Sequence, residues 1–402
     1  MKNRAGVSWS RGLAILSVIG GASSALAQAT TGHDAKGNYI LDSSGSFRLN
    51  VTGNIVFRYN ANFRDGVGND QDDFTHGFNT RRTFMYFTGF AGDPKLSYRL
   101  WTSFNPSTGD LELIEAYSEY AFTDRFSLRF GQSKLPFLQD EYLTGTSNIL
   151  AVERSLVSSV FSLTYGQGIR PSYTGDDFRV LGMFSDGQRT ANTQYDNPTE
   201  ADYALTGRAE YKWAGDWKQF DSLSSFRGKE LAGYVGGAVH WESGGDTGSS
   251  NPAGTGTDEE KTFAYTLDTL VLGDGWNASA AFVSRTTEAP RTAPHFTDMG
   301  LYVQGGVFVT DSVEPYVRYE HLIPDDDRGA NAESFSMLTL GFNYYVFPES
   351  HAFKISADVN YAFDAPADSS ALLGAGPNTA VGLLPSTEDG QFWLRVQTQV
   401  VF

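Results

Sequence analysis

From Arg48 to Arg64 apolar and polar side chains exchange places at almost every step. Leu49, Val51, Gly53, Ile55, Phe57, Tyr59, Ala61 and Phe63 fall in one register. Arg48, Asn50, Thr52, Asn54, Arg58, Asn60, Asn62 and Arg64 fall in the other, with Val56 the one intruder. A period of two is the mark of a β-strand with one apolar and one wet face. At ~3.3 Å per residue this run exceeds the ~9–11 residues that cross a bilayer at a tilt. The chain ends the same way, with Leu394, Val396, Thr398, Val400 and Phe402 on one face and Arg395, Gln397 and Gln399 on the other. The last strand of a soluble sandwich also alternates, so the class must be decided along the whole chain.

The same period predicts strands near 79–91, 95–104, 111–122, 125–134, 167–175, 177–186, 202–213, 230–242, 262–272, 276–286, 298–309, 313–323, 334–346, 352–363 and 391–402. With the first run the count is about 16, even as single-chain bacterial barrels require. The runs 79–91 and 111–122 alternate poorly. Connections offer a second test. Gly92-Asp93-Pro94, Thr123-Asp124, Gly273-Asp274-Gly275 and Thr310-Asp311-Ser312 are short, while 65–78, 135–166, 187–201, 243–261, 287–297, 324–333 and 364–390 are long. Long loops at one end and tight turns at the other belong to an outer-membrane barrel. The short external link 105–110 and the long inner stretch 214–229 are exceptions. The fold class expected is all-β: a transmembrane antiparallel β-barrel of about 16 strands whose third external connection, 135–166, folds inward. Phe402 then reads as the signal handed to the outer-membrane assembly machinery, and the apolar face as the one in contact with lipid.

The N-terminus agrees. Lys2, Arg4 and Arg11 precede an apolar run from Leu13 to Ile19 and an Ala25-Leu26-Ala27 cleavage site, so 1–27 reads as a signal peptide, cleaved after Ala27. Residues 28–46 then form an N-terminal periplasmic segment and 47–402 the barrel, placed in the outer membrane. Loss of three positive charges moves the net charge from -17 to -20. No other stretch is apolar for the roughly 18 residues of a membrane helix, a test that a barrel evades. Cysteine is absent, which removes disulfides and thiolate metal sites, whereas 43 glycines and 14% aromatics suit tight turns and interfacial girdles.

If the apolar register meets lipid, the other faces a lumen. Arg48, Arg58, Arg99, Arg129, Arg170, Arg179, Arg208, Lys212, Arg318, Lys354 and Arg395 fall there, against Glu210, Asp268, Glu314, Glu320 and Asp358. The bore is net basic inside an acidic protein, and guanidinium forks suit phosphate and carboxylate oxygens. The alternative is that pairs such as Arg318 with Glu320, or Arg208 with Glu210, only stiffen the wall. In the long 135–166 connection, Asn148 to Val157 has a helical look. Lys134, Glu153 and Arg154 are candidates for a constriction, or for pinning that loop to the wall. The acidic runs Asp65, Asp70, Asp72, Asp73; Asp258, Glu259, Glu260; and Asp325 to Asp327 read as solvated loop tips without a calcium-loop spacing. No catalytic set is present: the six histidines are scattered, with His240 the main inward one, and neither G-x-S-x-G nor H-E-x-x-H occurs. No cofactor, metal or nucleic-acid partner is expected.

Phe130-Gly131-Gln132-Ser133-Lys134-Leu135-Pro136-Phe137, Val152-Glu153-Arg154-Ser155-Leu156 and Tyr165-Gly166-Gln167-Gly168-Ile169 resemble segments of the phosphate-selective porin O and P family, as do Arg81-Arg82 and Ala116-Tyr117-Ser118-Glu119-Tyr120. The resemblance implies a homotrimer of sixteen-stranded barrels, each with a pore narrowed by an inward loop and lined by arginines that pass phosphate. On the matching segments it makes Arg81, Arg129, Lys134 and Arg170 pore residues. Few lysines and acidic loop tips depart from a strongly phosphate-selective member. The function expected is passive diffusion of small hydrophilic solutes with a preference for inorganic anions. A general or cation-leaning porin and a plugged structural or adhesion barrel stay open as alternatives. Tyr234, Tyr302 and Tyr316 are too few for a sugar slide.

Overall fold

The computed structural model describes residues 30–34, 37–66, 73–142, 145–195, 201–244, 261–288 and 295–402. The signal segment 1–27, most of the acidic tip at 65–73 and the run at 258–260 lie outside the described residues.

A short hairpin, β1 (Thr30–Asp34) and β2 (Gly37–Leu41), precedes the long strands. These are β3 (Phe47–Phe63), β4 (Phe74–Ala91), β5 (Asp93–Phe104), β6 (Leu111–Ala121), β7 (Phe126–Lys134), β8 (Tyr165–Thr174), β9 (Phe178–Ser185) and β10 (Ala201–Ala214). They continue as β11 (Ala232–Gly244), β12 (Lys261–Gly273), β13 (Trp276–Glu288), β14 (His295–Val307), β15 (Val313–Ile323), β16 (Phe335–Tyr345), β17 (Phe353–Ala362) and β18 (Phe392–Val401). Each pairs antiparallel with its chain neighbour, and β18 returns to pair with β3, closing a sixteen-stranded barrel. Closure matters because an open edge would leave backbone groups unpaired in lipid.

The seam shows how sequence length sets the join. β3 is longer than β18, whose register runs from Phe392 opposite Phe63 to Val401 opposite Asn54. Phe402 and Gly53 then exchange both backbone hydrogen bonds, at 3.0 and 2.6 Å. Gly53 lies under the Phe402 ring, where a Cβ has no room. Beyond this point β2 covers the rest of the edge, Asn38 to Leu41 pairing with Val51 to Arg48. That hairpin falls in 28–46, which the alternation had not assigned to the sheet.

Alternation sorts the two faces. On β12, Phe263, Tyr265 and Leu267 are exposed, while Thr262, Ala264, Thr266 and Asp268 between them are buried. The two poorly alternating strands each carry a bulge. On β4, Arg82 lies opposite Val56 but Thr80 opposite Phe57, so Arg81 is the extra residue. On β6, Glu115 lies opposite Trp101 and Leu113 opposite Thr102, so Ile114 is extra. One inserted residue reverses the faces on either side of it, which scrambles a period-two reading. β4 also begins at Phe74, earlier than 79, because β3 pairs with it as far as Phe63 opposite Phe74.

Three connections pack against inward-register side chains. The β7–β8 connection contributes Leu135, Phe137, Leu138, Leu156, Val157, Phe161 and Leu163 to an apolar cluster with Val283, Tyr302, Leu322, Phe335 and Trp393 of the wall. Val381 and Leu383 of the β17–β18 connection join it. The β10–β11 connection, the long exception at the tight-turn end, adds Phe220 and Leu223 to a second cluster with Leu150 and Tyr234. Within the β7–β8 connection the helices are α1 (Gln139–Tyr142) and α2 (Leu156–Phe161). The helical look at Asn148–Val157 is therefore displaced: the helix starts at Leu156, after Ser155, whose side chain accepts from the Ser158 amide at 2.9 Å as an N-cap.

Candidate functional site

The apolar clusters occupy the side of the barrel made by β9 to β18. On the other side, along β3 to β9, two cavities of about 490 and 340 Å³ share Arg99, Tyr117 and Arg129 and so adjoin, making this side the candidate passage. Its basic residues are Arg48, Arg99, Arg129, Lys134, Arg170 and Arg179; its acidic ones are Glu115, Glu119 and Asp221. All six lie over an aromatic ring, Arg48 over Tyr39 at 4.3 Å. Arg99 Nε is 2.8 Å from Glu115, with its guanidinium over Tyr86 and Trp101. Arg129 Nε donates to Glu119 at 2.7 Å and lies 3.7 Å over the Tyr117 ring centre. Arg179 pairs with Glu210 at 2.5 Å and covers Trp217. Lys134 Nζ donates to the Glu141 carbonyl at 2.7 Å and faces Trp101. Arg170 covers Tyr142, and its nearest carboxylate, Glu119, is 3.9 Å away.

The Phe130–Phe137 segment gains a physical reading here. Gly131 has φ 121°, outside the range of ordinary side chains, and a Cβ on it meets the Ala116 carbonyl. Gln132 bonds the Ile114 carbonyl at 3.0 Å and Asn192 at 2.8 Å, and Leu135 and Phe137 are buried in the cluster. The segment carries a cation into the passage and anchors the connection that follows.

The remaining predicted residues meet elsewhere. Arg58 and Arg81 both reach Glu153, at 3.0 and 3.1 Å, and Arg82 joins them. The bulge at Arg81 lets two consecutive arginines reach one carboxylate. Burial disfavours the charged form of Glu153, yet Arg82, Arg81 and Arg58 outweigh it and hold the carboxyl well below its ordinary range. Arg58 also donates to the Val152 carbonyl at 3.1 Å, Arg318 to the Glu153 carbonyl at 2.9 Å and Lys354 to the Ile149 carbonyl at 2.9 Å. Arg154 stays within its own connection, 3.2 Å from Glu141 and 2.8 Å from the Asp140 carbonyl. Arg208 chelates Asp268 at 2.7 and 2.6 Å, pairs with Glu210 and donates to the Phe137 carbonyl. Thus Arg99, Arg129, Lys134, Arg170 and Arg179 gather in the passage, whereas Arg58, Arg208 and Lys354 are fully buried holding the connection to the wall.

Sequence reasoning left out Arg82, Glu115, Glu119 and the rings of Tyr86, Trp101, Tyr117, Tyr142 and Trp217. The bulges hid the first three; Tyr86, Trp101 and Tyr117 carried no signal apart from their place in strands, and Tyr142 and Trp217 lie in connections that no period describes. His240 contacts Thr206 at 2.9 Å and Glu242 at 3.2 Å. Asp325 accepts from the Asp327 and Thr297 amides at 2.9 and 2.5 Å, capping a turn. Among the described residues no group of three His, Cys, Asp or Glu is placed to hold a metal.

Solved porins share this architecture. The outer-membrane channel DcaP of Acinetobacter baumannii superposes with a TM-score of 0.60 at 12% identity, over 90% of this chain and 99% of that one. The trimer form of OmpT of Vibrio cholerae gives 0.57 at 13%, over 89% and 100%. An anion-selective porin from Comamonas acidovorans gives 0.57 at 12%, over 89% and 100%. At such identities the likeness establishes the barrel alone. No curated protein matches the chain in sequence. The family model for phosphate-selective porin O and P, however, matches residues 49–362, from the second residue after the start of β3 to the last of β17, and the chain belongs to that family of outer-membrane channels.

Proposed function

We propose that the protein is a porin for passive diffusion of small hydrophilic solutes that favours anions, phosphate among them. The observation that carries this reading is the passage along β3 to β9, lined by six cations and three carboxylates, with Glu210 behind Arg179 a fourth, although the whole chain has a net charge of -17. A low-dielectric wall focuses the field of that excess and concentrates anions locally. The β7–β8 connection, tied to β3, β10, β15 and β17, folds into the bore and narrows it to this side. The signal peptide is removed after Ala27. The protein works as a homotrimer, in keeping with the trimer form of the Vibrio cholerae porin.

Single-channel recording from purified protein in a planar bilayer tests this. Current steps with an anion-directed reversal potential across a potassium chloride gradient are expected, and Arg129→Ala with Arg170→Ala is expected to move that potential towards zero. A cation-directed potential overturns the anion preference and leaves the porin. The apolar packing along β9 to β18 favours one second reading, a plugged structural barrel. Absence of steps from a folded trimer selects it.

A further inference from the structure

We infer that, among the anions it admits, the passage recognises aromatic monocarboxylates. This deepens the anion-porin reading and rests on it. An inorganic anion uses only the N–H edges of a guanidinium, for which a ring stacked on the guanidinium plane does nothing. Here each guanidinium lies over a ring: Arg129 is 3.7 Å from the Tyr117 ring centre, Arg99 5.2 Å from Tyr86 and Arg170 5.6 Å from Tyr142. Those three tyrosines are only partly buried and border the same 340 Å³ cavity. With Trp101 they make much of the wall between the cations aromatic, beside the Thr146 hydroxyl. A planar ring bearing one carboxylate fits such a wall, with its face or edge on a tyrosine and its oxygens on the nearest N–H fork. The volume lies within the ~300–1,000 Å³ of small-molecule sites.

The charge pattern selects the valence. Glu115 and Glu119 hold Arg99 and Arg129 at 2.8 and 2.7 Å, so these guanidiniums are largely compensated. Among the described residues the carboxylate near Arg170 is that of Glu119, 3.9 Å away, and its buried Nε has no hydrogen-bond partner. Arg179 is held by Glu210 at 2.5 Å, and Lys134 and Arg170 share the cavity with the Asp221 carboxylate, so the lining is left with an excess of about one positive charge and attracts a single negative one. A second charge on the same solute, as on the dianionic share of phosphate near neutral pH, adds repulsion from both glutamates.

The test compares benzoate with cyclohexanecarboxylate, equal in charge and similar in size but without a π face. Chloride current through the wild-type channel is titrated with each acid and with inorganic phosphate. Benzoate is expected to reach half-block at a concentration roughly 2–10-fold lower than cyclohexanecarboxylate, the equivalent of one aromatic pair. In Tyr142→Leu and Tyr117→Leu that ratio is expected to fall towards one. Equal half-block by the two acids in the wild type, or tighter block by phosphate than by benzoate, overturns the proposal while the anion-directed reversal potential in the same membrane keeps the porin reading. A cation-directed potential removes both. If the barrel conducts nothing, calorimetric titration of the detergent-solubilised protein decides it: heat of binding with benzoate and none with cyclohexanecarboxylate supports the site, and equal heats overturn it.

Discussion

Glu153 concentrates the electrostatics of the chain in one side chain. Three guanidiniums reach it, its backbone carbonyl accepts from Arg318, and one buried nitrogen of Arg82 has no hydrogen-bond partner. A carboxylate so placed compensates charges that have left water. Removing it leaves them uncompensated, a change that costs about 3–5 kcal/mol when one partner of a buried pair is lost. Glu153→Gln is expected to lower the urea midpoint of the folded barrel accordingly, and an unchanged midpoint would show that water reaches these arginines. The acid dependence has a definite sign. The folded-state pKa of Glu153 lies well below that of the unfolded chain. Between the two values the unfolded state binds a proton that the folded state does not. Its stabilisation is thus complete above the ordinary glutamate pKa of about 4.3 and is lost as pH falls through the folded value. The gap between wild type and Glu153→Gln is expected to hold from pH 8 to about 5 and to narrow below, as read from urea midpoints at each pH. Arg82 itself escaped the sequence because alternation allots consecutive residues to opposite faces, and only the bulge allows Arg81 and Arg82 to share a partner.

Elements were more legible than side chains. Sixteen runs read from alternation became sixteen strands because lipid on one side and polar contacts on the other enforce a period of two along each one. The two runs that read poorly carry bulges well inside the strand, at Arg81 and Ile114, whereas the register shifts of β10 fall at its ends, and the register change at Ile114 is what turns Glu115 and Glu119 into the passage. The hairpin β1–β2 was missed because its strands are five residues each, too short for a period to declare itself. Packing of the three connections was invisible for another reason: it rests on carbonyls of the loop meeting side chains hundreds of residues away, as Lys354 meets Ile149. The C-terminal strand carries its own prediction. Phe402 bonds Gly53 through backbone atoms alone, so Phe402→Ala retains those bonds. Refolding of purified Phe402→Ala into synthetic bilayers is expected at near wild-type yield, while its amount in the outer membrane of cells falls several-fold. Equal losses in both settings would place the role of the ring in barrel closure. Gly131→Val addresses the strand that bears Lys134: a β-branched residue cannot take φ 121° cheaply, and a loss of at least about 1–3 kcal/mol is expected in the same urea assay.

Across the whole molecule, opposite charges sit in places that salt screens to different degrees. The chain is acidic, at -17, and acidic residues gather at the long-loop end, where Asp326 and Asp327 are exposed, while the passage is basic. An anion therefore meets a repelling mouth and an attracting bore. The two fields are screened differently. The Debye length falls from ≈ 10 Å at 0.1 M salt to 3 Å at 1 M, which quenches exposed loop charges but acts weakly on groups buried in the wall. Anion preference is thus expected to persist at 1 M, whereas the mouth throttles anions only at low salt. Asp326→Asn with Asp327→Asn removes exposed charge and spares Asp325, whose carboxylate caps the turn. The double variant is expected to raise anion conductance at 0.1 M potassium chloride and to match wild type at 1 M. A rise of the same size at both concentrations would mean that the substitutions reshape the loop, and no rise at 0.1 M would mean that the field of the mouth does not reach the permeating ion.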